Sequence, residues 1–158
     1  MLRWVGCGGF LWLLLASAGH GAAGQADSGT VERAVLKTHH EMVAAADALD
    51  AERFFAFILD EARGPVIQDG RLFATRAEAL GVVARGFAGV ARVERVYETE
   101  DVTVISKDTA LLTGRGTTTV TLQDGRTLEG AFAVSLVFVR RGEEWKVLHG
   151  HYSAPNPR

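Results

Sequence analysis

From Val93 to Ser153 the chain reads as strand after strand, and this half of the sequence restricts the fold more than any other part. Strand-like runs cover roughly 93–105, 109–122, 127–139 and 145–153, and the breaks between them are turn sequences at Lys107-Asp108, Asp124-Gly125 and the region of Gly142. Helical patterns precede them. Helices first and strands afterwards is the arrangement of an α+β fold rather than of alternating βαβ units.

The first helix is expected from about Thr30 to Ala48. Val31, Val35, Met42, Ala46 and Leu49 recur at helical spacing as one apolar stripe, while Glu32, Arg33, Lys37, Glu41 and Asp47 point elsewhere. His39 falls on the stripe and His40 does not. Asp50 is placed to cap a second, short helix that buries Ala51, Phe54, Phe55 and Ile58, with Phe57 adding apolar bulk beside it. Gly64-Pro65 interrupts the pattern, and Asp69-Gly70 between Val66-Ile67 and Leu72-Phe73 signals a hairpin of two short strands. Thr75-Arg76-Ala77-Glu78 reads as a capping box opening a third helix packed through Leu80, Val83 and Phe87.

Met1 to Gly24 has the layout of an export signal: Arg3, then an apolar run from Phe10 to Ala16, then small residues at Ala16-Ser17-Ala18, Ala22-Ala23-Gly24 and Gly24-Gln25-Ala26. The run is too short to cross roughly 30 Å of hydrocarbon, so no stable membrane anchor is expected after cleavage. The organisation expected is a cleavable signal peptide over 1–26 and a single domain over 27–158, in a periplasmic or secreted protein. Cys7, the one cysteine, precedes the apolar run, so it cannot carry a lipid at the cleavage point. Without it the mature chain depends on its core rather than on disulfides. A composition of 47% hydrophobic and 23% charged residues supports such a core. A net charge of -2 offers no basic face to a phosphate backbone, which argues against nucleic acid as a partner.

Two-residue turns at Asp124-Gly125 and Gly142-Glu143 would place Arg115 opposite Val134, Val134 opposite His151, Leu136 opposite His149 and Phe138 opposite Val147. One sheet face would then collect Leu111, Thr113, Arg115, Thr117, Phe132, Val134, Leu136, Phe138, Val147, His149 and His151. The other would carry the small residues Gly114, Gly116, Ala131, Ala133, Ser135 and Gly150, a surface suited to a partner subunit or an opposing sheet. Arg115 and His151, two strands apart, would stand on the order of 10 Å from each other.

Three helices followed by a long meander ending Trp145-Lys146-Val147-Leu148-His149-Gly150-His151-Tyr152-Ser153-Ala154-Pro155 resembles the nuclear-transport-factor-2-like superfamily, over about Val31 to Pro155. The Trp and then His-x-His-x-Ser of the last strand are most similar to the association domain of calcium/calmodulin-dependent kinases and to the SnoaL-like bacterial proteins related to it. The resemblance implies a cone-shaped, curved mixed sheet wrapped around the long N-terminal helix, with two further short helices. It also implies a cavity between sheet and helix, and homodimers through the sheet.

By that resemblance the face bearing Arg115 becomes the cavity wall, and Thr113, Phe132, Leu136, His149 and His151 line it with His39 and Trp145 nearby. Arg115 matches an arginine that binds carboxylate ligands, a role suited to a two-pronged donor. Leu136 stands where a second basic residue of that pocket is expected. The chemistry of ketosteroid isomerase is missing both its acids, because Gly64-Pro65 and Val134 occupy their places. SnoaL-type cyclases rely on a His and Asp pair, for which His149 or His151 with Asp60 are the candidates here.

Each residue also has a plainer role open to it. Arg115 can pair with Glu100 across the Lys107-Asp108 turn. His149 and His151 can be core histidines satisfied by backbone or by the first helix, His39 can serve packing, and Trp145 can be a lid on the open end of the sheet. The His149-x-His151 spacing can turn two rings toward one metal ion, with His39 as third ligand. No carboxylate lies in a ligand motif, however, so neither metal nor cofactor is expected. Three functions remain open. The preferred one is an exported module binding a small, partly apolar ligand, acidic if Arg115 meets it. The others are a cofactor-free isomerase, dehydratase, cyclase or hydrolase using a pocket histidine as acid or base, and a dimerisation or assembly domain.

Overall fold

The computed structural model describes residues 21–61 and 63–154, with side chains from Ser28 onward. The run read as the core of an export signal lies within residues 1–20, outside the described ones. In chain order the elements are α1 (Gly21–Asp47), α2 (Ala51–Phe55), β1 (Val66–Gln68), β2 (Arg71–Phe73), α3 (Arg76–Phe87), β3 (Val90–Ser106), β4 (Thr109–Leu122), β5 (Thr127–Arg141) and β6 (Glu144–Ser153). This is the expected α+β order. The helix α1 starts earlier than Thr30, with alanines at 22, 23 and 26 supplying helical propensity.

Local signals act as their chemistry requires. The Asp50 carboxylate accepts the Arg53 amide at 3.0 Å and opens α2. Thr75 Oγ1 accepts the Glu78 amide at 3.2 Å, while the Glu78 carboxylate reaches back to the Ala74 amide at 3.0 Å. Both central residues of the Asp69-Gly70 turn have positive φ, 48° and 81°, which is the geometry of a two-residue hairpin. α1 ends with Leu49 at φ 59°, its amide on Ala46 O and the Asp50 amide on Ala45 O, a Schellman closure built on a leucine instead of a glycine.

The six strands form one curved, open sheet in the order β2-β1-β6-β5-β4-β3, parallel between β1 and β6 and antiparallel elsewhere. The concave face receives α1. Val31, Val35, Met42, Ala45, Ala46 and His39 of the helix are buried against Ala110, Leu112, Val134, Leu136, Phe138 and Val147 of the strands. Burial of each larger aliphatic or aromatic side chain contributes about 1.5–3 kcal/mol, so this contact is the main apolar stabilisation.

The register corrects the expected sheet faces in two places. Between β4 and β5 the turn is a three-residue loop, Gln123-Asp124-Gly125, with Gly125 at φ 85°. Arg115 therefore pairs with Ala133 and not Val134, and the whole of β4 turns over relative to β5. Between β5 and β6 the Gly142-Glu143 turn and the Phe138 to Val147 pairing are as expected, but an extra residue, Leu148, follows. Past it Leu136 faces Gly150, and Val134 faces Tyr152. Arg115, Thr113, His149 and His151 consequently share the outer face with Ala131, Ala133 and Ser135. Gly114, Gly116 and Gly150 face the helix side instead.

Those inward glycines are there because another chain segment is close. A Cβ on Gly116 would lie 2.0 Å from the Val96 carbonyl oxygen and 2.9 Å from Tyr97 Cα, where β3 carries an irregularity next to Tyr97. Around Gly130, in contrast, nothing lies within 4 Å of such an atom. Gly116→Ala is expected to destabilise the protein by about 1–3 kcal/mol through forced backbone displacement. Gly130→Ala should stay within about 0.5 kcal/mol of the parent. Urea unfolding followed by circular dichroism reads both, and equal midpoints would show that β3 and β4 are not in close contact at Gly116.

Candidate functional site

A cavity of ≈ 150 Å³ lies where α1, α2 and α3 meet the β1, β3 and β6 part of the sheet. Its apolar wall is made by Met42, Val43 and Ala46 of α1, Phe54 and Phe55 of α2, and Val83 and Phe87 of α3. Helical spacing along α1 and α3 points these side chains inward, so the residues that build the core also build the cavity. The polar contributions come from strands: Gln68 of β1, Arg95 and Tyr97 of β3, and Tyr152 of β6.

The polar edge is electrostatically uneven. Arg95 Nη1 donates to Asp47 Oδ1 at the last residue of α1, both side chains being partly buried. Burial pushes the Asp47 carboxyl above its ordinary value, outweighing the attraction of the Arg95 guanidinium. The Tyr152 hydroxyl is buried and is without a hydrogen-bond partner among the described residues. Burial also raises its pKa, so it is present as a neutral phenol able to donate. An unsatisfied buried hydroxyl lowers stability by about 1–3 kcal/mol, and an acceptor entering the cavity would recover that cost.

Tyr97 connects the cavity to a second polar group. Its ring lines the cavity, packs edge-on against Phe132 with centroids 4.9 Å apart, and meets the His39 ring edge-on at 5.1 Å. Its hydroxyl stands 3.3 Å from His39 Nε2. On the other side of the ring, His39 Nδ1 lies 2.8 Å from Glu100 Oε1, and His40 Nε2 lies 3.2 Å from both Glu100 oxygens. His39 is only 1% exposed. Its desolvation lowers its pKa below 6.5 despite the hydrogen bond and charge of Glu100.

None of the site residues expected from sequence lines the cavity directly, whereas several of the expected core residues, Met42, Ala46, Phe54, Phe55, Val83 and Phe87, do. His39 and Phe132 touch Tyr97, which does. Leu136 is fully buried in the core, and Trp145 is buried beside a different groove containing Phe57, Glu144 and Lys146. Thr113 and His151 are exposed on the outer face, as is Arg115, whose side chain is 66% exposed and stands 3.4 Å from Glu98 rather than from Glu100. His149 holds Gly64 O through Nδ1 at 3.0 Å, the backbone-satisfied role open to it from the start. Asp60 is exposed and paired with Arg76 at 3.0 Å, away from both histidines. Arg95, Tyr97 and Tyr152 were not readable as site residues, although Arg95 and Tyr97 follow buried Val93 at the two-residue period of one strand face along β3.

The sequence profile of the SnoaL-like domain matches residues 35–157. No curated protein matches the chain at a significant level. Solved structures share the fold. One is a nuclear transport factor 2 (NTF2-like) superfamily protein from Salmonella enterica, with TM-score 0.73 and 14% identity over 82% of this chain and 94% of that one. A ketosteroid isomerase-like protein from Erwinia carotovora atroseptica gives TM-score 0.68 and 18% identity over 79% and 96%. A type 2 hexachlorocyclohexane dehydrochlorinase gives 0.70 and 14% over 82% and 88%.

The buried histidine makes stability depend on pH. Because the folded pKa of His39 lies below 6.5, the unfolded chain takes up its proton first as pH falls. The stability that neutral His39 contributes is complete above the unfolded value and is lost as pH drops from there through the folded pKa. Denaturant unfolding of the wild type between pH 7.5 and 5, about that window, should show a steeper loss than His39→Gln, which has no proton to gain. Parallel pH profiles would show that Glu100 and His40 compensate the burial fully.

Proposed function

Because the chain belongs to the SnoaL-like family and has the nuclear-transport-factor-2-like fold, we propose that it binds a small, partly apolar molecule in the cavity beneath α1. The observation that carries this reading is the buried Tyr152 hydroxyl, without a hydrogen-bond partner among the described residues, in an apolar wall beside Arg95. A volume of ≈ 150 Å³ is that of an engineered apolar cavity known to hold one benzene ring. The ligand is accordingly a ring-sized apolar body with one acceptor, carbonyl or carboxylate, directed at Tyr152 and Arg95. Arg95 takes the part that the sequence resemblance gave to Arg115, from the adjacent strand and the opposite face.

Benzoate, phenol and toluene are suitable probes, since they share a ring and differ in polar group. Tyr152→Phe should keep or raise the melting temperature of the ligand-free protein. It should weaken benzoate by about 3- to 10-fold, the value of one hydrogen bond, and leave toluene unchanged. Unchanged benzoate affinity, measured by calorimetry, would remove Tyr152 from the site and with it the basis of this reading.

A second reading, an enzyme without cofactor, is favoured by Asp47, a carboxyl raised by burial directly behind Arg95. Such a group is suited to proton transfer, and the structural relatives include a dehydrochlorinase. Asp47→Asn distinguishes the two, because a binding module loses only affinity while an enzyme loses turnover with its fold kept.

We further propose that the protein acts after export, as a homodimer joined through the outer face of β4, β5 and β6. The small exposed residues Ala131, Ala133 and Ser135 leave that face flat, and the apolar run from Phe10 to Ala16 supports export. Native mass spectrometry of protein recovered from the exported fraction should give twice the mass of a chain lacking its N-terminal segment. A monomer would overturn the interface, and full-length subunits would overturn cleavage.

A further inference from the structure

The structure assigns to His39, His40 and Glu100 a site for one divalent transition-metal ion, zinc in the first instance, on the side of Tyr97 turned away from the cavity. One ring nitrogen each of His39 and His40 and a Glu100 carboxylate oxygen all lie within 4.8 Å of one another. The contacts to Glu100 are 2.8 Å from His39 and 3.2 Å from His40. Ligands about 2.0–2.2 Å from a tetrahedral zinc ion stand roughly 3.4 Å apart, so the two ring nitrogens need to draw back from the carboxylate oxygen by only about 0.2–0.6 Å to admit one. Two imidazoles and one carboxylate are a donor set for zinc or another first-row metal, with a remaining position for water.

The surroundings have the features that a ligand set requires. His39 is fixed by burial in the α1 stripe, and Glu100 by its place on the concave side of β3, opposite Gly114. The Tyr97 hydroxyl sits on the ring nitrogen of His39 that would not meet the metal. In the metal-free form, a hydrogen bond to Glu100 uses the Nδ1–H tautomer, with Nε2 accepting from Tyr97. Metal binding needs the Nδ1 lone pair, so the proton passes to Nε2 and the Tyr97 hydroxyl rotates to accept it. This is the outer-ligand arrangement that fixes tautomer and ring orientation at metal-bound histidines. His40 is 59% exposed and borders an open groove with Arg33 and Lys37, which gives an ion a path in and a water its place.

The helix places adjacent histidines on different sides of α1, and only a residue from the sheet lying between the two directions gathers both. No ligand motif marks this in sequence, where the metal reading rested on His149-x-His151. Those two residues lie on the outer face, away from Glu100.

The test uses the full-length protein stripped with a chelator, titrated with Zn2+ against a competing chromophoric chelator and, separately, with Co2+. The wild type should bind zinc stoichiometrically and give the intense visible bands of low-coordinate Co2+. His40→Ala and Glu100→Gln should each weaken zinc by about ten-fold or more, with circular dichroism unchanged. His151→Gln should bind as the wild type. Absence of binding with zinc in several-fold excess would overturn the site, and so would wild-type affinity in either His40→Ala or Glu100→Gln. Zinc binding lost with His151→Gln would place the ion elsewhere and overturn it equally.

Discussion

The pairing register of β4, β5 and β6 decides which side chains meet α1 and which meet solvent, and the cavity follows from it. Two added residues set that register: the third residue of the Gln123-Asp124-Gly125 loop and the bulge at Leu148. Each turns a strand by half its two-residue period, which exchanges the faces for everything beyond it. The bulge brings Gly150 inward opposite Leu136, where even a Cβ would meet Leu136 Cδ2 at 3.0 Å, and then Tyr152 opposite Val134. It also frees His149 to hold Gly64 O and lets the Gly150 amide donate to Pro65 O at 2.8 Å, so that β1 can join in parallel. The bulge, the β1 to β6 pairing and the inward Tyr152 are thus one structural event.

Beneath α1 two polar pairs cross the helix–sheet contact. Asp47 with Arg95 and His39 with Glu100 both join α1 to β3. Pairs of this kind contribute little net stability once desolvation is counted, and an apolar replacement often does as well. What they add is position. The apolar stripe of α1 can slide or rotate on a curved sheet with modest loss, whereas two polar contacts on one strand fix both its rotation and its height. That fixed placement holds Met42, Val43 and Ala46 over the cavity.

Much of this architecture was readable in the sequence because its signals are local. Asp50 and Thr75 with Glu78 act through hydrogen bonds within four residues, Asp69-Gly70 acts through its own backbone conformation, and the α1 stripe declares itself by spacing, down to His39 inside and His40 outside. The four long strands and their order followed from the turns between them, while the parallel placement of β1 beside β6 did not. Register did not, because Asp124-Gly125 suits a two-residue turn as well as the last two positions of a three-residue one, and Leu111-Leu112 is apolar in either phase. The bulge at Leu148 depends on a neighbour, β1, that is distant in sequence. A clue existed in the residues themselves: one register sets Arg115, His149 and His151 in an apolar wall, the other sets Gly114, Gly150 and Tyr152 there, and the second avoids burying strong polar groups. The candidate site was lost with the register, since Arg95, Tyr97 and Tyr152 acquire a role only once their faces are known.

Tyr97 makes the cavity and the histidine–carboxylate cluster adjacent parts of one assembly. Its ring is wall to the first and its hydroxyl is partner to the second, with Phe132 bracing the ring from the sheet. A ligand that presses on the ring shifts the hydroxyl that His39 meets, and a change of tautomer at His39 reverses the direction of that same hydrogen bond. Any coupling between a cavity ligand and the cluster would pass through this one side chain, in direct contact with both, and would need no longer path through the fold. Tyr97 is for that reason a poor place to separate the two, while Tyr152 and His40 each belong to one of them alone. The sheet curvature that brings β3 under α1 is what puts these groups within one ring's width of each other, on a strand whose sequence shows only the alternation expected of any half-buried edge.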